Sequence, residues 1–161
     1  MSLLNRRFLF TMPLLLLAAC GFQPVYGPGG SGTALQNAVQ VDAPDDAFSY
    51  TLVREIETRL GRAASPRYAL ALTVDTSQEG LAIDSEDNTT RYNLVGDVDF
   101  ALRNISTGQV VTSGNVENFT GYSATGSTAA TLAAERDAQK RLMVMLAEQL
   151  VTRLYAADLA Q

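Results

Sequence analysis

An α+β fold is predicted, a two-layer sandwich in which two helices cover a mainly antiparallel sheet of about four strands, in the order β-α-β-β-β-α. Three observations predict it. Apolar residues recur every four positions at Phe48, Leu52, Ile56 and Leu60, and again at Leu142, Leu146, Leu150 and Leu154, the repeat of a one-sided helix. Between these stretches apolar and polar residues alternate from Tyr68 to about Thr120, the period of strands with one buried face. The 161 residues, 47% of them hydrophobic, are enough for one domain with its own core.

The domain is expected over residues 35–161. Leu35, Val39 and Val41 share one side of a weak alternation and suggest a first strand, broken at Ala43-Pro44. Asp45 or Asp46 can cap the first helix by accepting its free N–H groups, and Gly61 supplies the stop. Tyr68, Leu70, Leu72 and Val74 mark the second strand, and a phase slip before Leu81 and Ile83 predicts a bulge near Gln78–Gly80. Asp84 to Asn88 reads as a polar turn. Tyr92, Leu94, Val98, Phe100 and Leu102 occupy even positions of a third strand of about a dozen residues, long against a mode of about 5–6. Ser106-Thr107-Gly108 predicts a three-residue hairpin connection into a strand from Gln109 to about Thr120. Gly126-Ser127-Thr128 offers a cap to the last helix, which contains neither Gly nor Pro from Thr131 to Ala157.

Residues 1–19 stand apart from this domain. Arg6 and Arg7 precede an apolar run from Phe8 to Leu17, the length of a signal-peptide core and too short to span a bilayer. Leu17-Ala18-Ala19-Cys20-Gly21 resembles the bacterial lipobox: a branched aliphatic residue, two small ones that can enter a protease groove, and a cysteine able to carry a diacylglycerol thioether. Cys20 is the only cysteine, so it cannot form an internal disulfide; it is the expected lipid attachment site, and two or three acyl chains make a durable anchor where one does not. Residues 20–34, rich in Gly and Pro, read as a flexible tether.

Composition removes much chemistry. There is no histidine, hence no imidazole base, no Ser or Cys triad of the usual kind and no imidazole zinc site. Asp97 and Asp99 share one side of a strand, a spacing that acid/base catalysis can use, but charges opposite an apolar face are the commoner arrangement. No cofactor is expected. The net charge of −5 falls to about −7 once Arg6 and Arg7 leave with the signal, a poor balance for a nucleic-acid partner.

The Ala-Cys-Gly-Phe junction, the Gly/Pro tether, the element order, the long hairpin around Thr90-Arg91-Tyr92-Asn93-Leu94 and the helix carrying Ala147-Glu148-Gln149-Leu150 with Arg153-Leu154 together resemble the lipopolysaccharide-assembly lipoprotein family of Gram-negative bacteria. The resemblance implies a non-enzymatic plug that sits in an outer-membrane β-barrel translocon, helps it assemble and binds lipopolysaccharide on its way to the outer leaflet. Gly21 in place of an aspartate implies, by the same resemblance, carriage to the outer membrane with the domain facing the periplasm. For a phosphate-bearing ligand the candidate contacts are Arg91, Arg136 and Lys140, against the plainer reading that they are solvated surface charges. An auxiliary lipoprotein of an envelope lipid transporter, or a pilot lipoprotein for a secretin, is the alternative with the same anchor.

Overall fold

A computed structural model describes residues 25–27 and 30–159. Cys20 and the signal segment lie outside them. The elements are α1 (Ser31–Leu35), β1 (Val39–Val41), α2 (Ala47–Leu60), β2 (Tyr68–Ile83), β3 (Thr89–Asn104), β4 (Val110–Ser123) and α3 (Thr128–Tyr155). The strands form one sheet in the order β1-β2-β3-β4. Helices cover one face of it, as the α+β reading requires.

The sheet is mainly antiparallel, as expected, and two points refine the reading. The sheet is mixed, because β1 pairs parallel with β2 through Val39–Tyr68 and Val41–Leu70, with α2 as the crossover that parallel neighbours demand. The first strand is also shorter than Leu35–Val41: Leu35 ends α1, and Asn37, with a φ of 54°, turns the chain into β1. The alternation misled because Leu35 is apolar for a helical reason, being fully buried in the same core as Val39.

Helix α2 starts in a capping box. Asp46 Oδ1 accepts the Ser49 N–H at 2.6 Å, and Ser49 Oγ accepts the Asp46 N–H at 2.9 Å, so two free donors are satisfied reciprocally. Gly61 closes the helix at a φ of 77°, where a Cβ would stand 2.1 Å from Asn37 Oδ1. The Ser49 hydrogen bonds hold the Asp46 carboxyl below its ordinary pKa. A carboxyl depressed in the fold stabilises it above the unfolded pKa of about 4, and that contribution disappears as pH falls through the folded value. Asp46→Ala is therefore expected to cost about 1 kcal/mol at pH 7 in denaturant unfolding. The gap to wild type should close on acidification below about pH 4.

Strands β2 and β3 pair over almost their whole length, with register shifts between Gly80 and Ile83, slightly beyond the expected bulge. Asp84 Oδ1 accepts from the N–H groups of Glu86 and Asn88 and closes the turn between them. The β3–β4 connection is longer than expected, running from 105 to 109. Asn104 Oδ1 accepts from the Ser106 N–H and hydroxyl there, and Gly108 adopts a φ of 71°.

Helix α3 runs for 28 residues from its cap, where Ser127 Oγ accepts the Ala130 N–H. Leu142, Leu146, Leu150 and Leu154 are fully buried against the sheet and α2. Each such side chain contributes about 1.5–3 kcal/mol of transfer free energy. Gly96, the one gap in the even-numbered apolar series of β3, lies directly under the helix: a Cβ there would meet Leu146 Cδ1 at 2.8 Å and Leu142 Cδ2 at 3.0 Å.

At about 1.5 Å per helical residue and 3.3 Å per strand residue, α3 spans about 42 Å and β2 about 53 Å, so the domain is long and has two distinct ends. At one end the N-terminal segment is clasped onto the end of α3. Tyr26 Oη donates to Tyr155 Oη at 3.0 Å with the rings edge to face, the Ser31 hydroxyl donates to the Tyr155 carbonyl, and the Gly32 N–H donates to the Val25 carbonyl. Burial, then the Tyr26 hydroxyl, pushes the Tyr155 phenol up to about 12. At the other end stand the β2–β3 turn, the end of β4 and the first turns of α3.

Candidate functional site

The expected cationic contacts all fall toward this second end, but on two sides of the sheet. Odd-numbered residues of β3 face away from the helices, and Arg91 is one of them, exposed and opposite Ala82 and Ser123. Arg136 and Lys140 lie on α3, one turn apart and both exposed. Among the described residues the side chain of none of the three makes a hydrogen bond or ion pair, whereas their neighbour Arg141 is engaged by Asp137. Arg136 and Lys140 are thus brought together as a pair of unpaired cations. Arg91 is separated from them by the sheet.

On the helix face at this end lies a stacked cross-strand pair, Tyr92 and Tyr122, with centroids 5.3 Å apart. Tyr122 is buried under α3; burial, then the nearby Glu135 carboxylate, raises its pKa. Phe100 belongs to the core, and Phe119 is 64% exposed on the helix-free face beside Val95.

The helix-free face is polar along its middle. Asp75, Asp97 and Glu117 stand abreast on β2, β3 and β4, an arrangement of like charges that costs stability. Asn115 Nδ2 donates to Asp97 Oδ1 at 2.7 Å and Asp99 Oδ1 at 3.1 Å. Beside it lies an open trough of about 450 Å³ lined by Ala71, Thr73, Asp99, Ala101 and Ser113. The one carboxylate in this lining, Asp99, is held by the Asn115 amide, which the Asp97–Asp99 spacing lets both carboxylates share. Among the described residues no group of Asp, Glu and Cys is placed to hold a metal ion. No described helix is long and apolar enough to cross a membrane.

Residues 36–154 match the family model described as lipopolysaccharide-assembly. The chain belongs to the lipopolysaccharide-assembly (LptE) family. Its fold is shared with several solved lipoproteins. A protein from Caulobacter crescentus assigned as a lipoprotein aligns with a TM-score of 0.66 and 23% identity, covering 78% of this chain and 93% of that one. Rare lipoprotein B from Shewanella oneidensis aligns at 0.58 and 13% identity over 74% and 92%. Lipoprotein B from Nitrosomonas europaea aligns at 0.59 and 15% identity over 84% and 91%. At these identities the likeness is one of fold. A search of curated proteins finds no match. Family membership supports a role in lipopolysaccharide assembly.

What sequence reasoning missed is the clasp. Tyr26 and Ser31 sit in a Gly-rich stretch with no periodicity, so nothing local signals that they meet Tyr155.

Proposed function

We propose that this member of the LptE family is a lipid-anchored, periplasm-facing lipoprotein of the outer membrane. In this reading it plugs and helps to assemble a β-barrel lipopolysaccharide translocon and assists delivery of lipopolysaccharide to the outer leaflet. The family match over residues 36–154 carries the reading, and the lipobox at Cys20 supplies the means of localisation. Tethering raises the effective concentration of the domain at a barrel lumen. A long domain with one polar sheet face suits a water-filled interior.

The experiment is purification of the native protein from detergent-solubilised outer membrane. A large β-barrel should accompany it, and depletion of the protein should lower surface lipopolysaccharide. Recovery with a secretin, or with an inner-membrane lipid transporter, overturns the reading in favour of a pilot or auxiliary lipoprotein.

Arg91, Arg136 and Lys140 are the proposed contacts to lipopolysaccharide phosphates, which charge-assisted hydrogen bonds favour. The double variant Arg91→Glu, Lys140→Glu is expected to bind purified lipopolysaccharide on the order of tenfold more weakly, since each reversal replaces an attraction by a repulsion. Binding equal to wild type excludes these positions.

A further inference from the structure

We propose that the clasped end of the domain rests on an anionic phospholipid headgroup surface, through Arg67, Arg103 and the β3–β4 turn. The proposal rests on acylation of Cys20. From Cys20 to Val25 the chain can span at most about 18 Å, so an acylated cysteine keeps this end, and not the far turn, within reach of the bilayer.

The side chains at this end suit such a surface. The Ile105 N–H donates to the Arg67 carbonyl at 2.9 Å, which sets the β3–β4 turn beside the α2–β2 loop, and Asn37 ties the end of α2 to the same place. Arg62 is matched by Glu57 at 2.6 Å and Arg59 by Glu148 at 3.8 Å. Arg67 and Arg103 have no acidic partner among the described residues. Arg67 is held in place by the Ala34 carbonyl at 2.5 Å and by the Tyr68 ring, 5.7 Å beneath its guanidinium. Around these cations Tyr26, Ile105 and Val110 are exposed, an aromatic and two aliphatic side chains of the kind that settle at a membrane interface.

The opposite turn carries Asp84, Glu86 and Asp87, all exposed, with Glu79 shortly before them. That end also holds the exposed cations Arg91, Arg136 and Lys140, so it is the reach of the acylated cysteine, and not net charge alone, that selects the clasped end for the bilayer. Each arginine near an anionic surface favours docking about fivefold.

The test uses the full acylated chain in vesicles. Cys20 is the only native cysteine and is blocked by its lipid, so an introduced cysteine takes a fluorophore at a single place. Ile105→Cys and Glu86→Cys probes are compared for quenching by brominated lipids in vesicles of phosphatidylethanolamine with phosphatidylglycerol, and in phosphatidylcholine alone. Quenching at Ile105 should exceed that at Glu86 several-fold in the anionic vesicles and fall in phosphatidylcholine or at high salt. Arg103→Gln, whose side chain bonds nothing among the described residues, should lower the docked-to-undocked ratio about fivefold. Equal quenching at the two ends, or quenching at Ile105 indifferent to lipid charge and to Arg103→Gln, overturns the proposal. Failure of the chain to float with vesicles at all is a different result, which removes the anchor itself.

Discussion

Purified protein in which Cys20 is replaced by alanine is expected to stay at the bottom of a flotation gradient containing phospholipid vesicles, whereas the acylated chain rises with them. The size of the effect follows from the chemistry of the anchor. Each buried CH₂ contributes about 0.8 kcal/mol, so two or three acyl chains hold a protein for far longer than a gradient runs. No described helix could replace them, and the few exposed apolar side chains at the clasped end are too small a surface to bind neutral lipid stably. The intact mass of the N-terminal peptide checks the cause. A Cys20→Ala chain that floats as well as wild type would show that the lipobox resemblance is incidental.

The largest loss of stability from a single substitution is expected at Leu146→Ala, about 3 kcal/mol, read as the denaturant midpoint or as a melting temperature lower by about 10 °C. Leu146 is fully buried over Gly96 of β3, and it fills space that Gly96 leaves by having no side chain. The two positions are therefore coupled. Gly96→Ala in the wild-type background must push Leu146 or Leu142 aside, at about 1–3 kcal/mol. With Leu146 truncated, the same methyl enters the vacated volume. The double variant should lose clearly less than the sum of the single losses, and strict additivity would refute the close approach.

Gly96 also shows where legibility stopped. The alternation of β3 around it is plain in the sequence, as are both helices, because burial on one face imposes period 2 or 3.6 regardless of what lies across the interface. An interior glycine in such a pattern reports a close neighbour without saying which. Only packing supplies Leu146. The caps were legible for the same local reason, as Asp46 with Ser49 and Ser127 with Ala130 act within one turn. The parallel pairing of β1 was not, since three residues carry too little pattern to fix a direction. For the candidate site, the spacing of Arg136 and Lys140 on one helix face could be read directly. That Arg91 would be divided from them by the sheet could not, because it depends on which face of β3 the helices choose.

The clasp of Tyr26 and Ser31 on Tyr155 joins groups 129 and 124 positions apart in the chain. A polypeptide that emerges N-terminus first therefore delivers one half of this contact long before the other exists. Contacts of such sequence separation form late, since the loop entropy must be met before they reward it. Until α3 has been made, Tyr26 and Ser31 have no Tyr155 to dock on, so the clasped end is the last part of the domain that the growing chain can complete.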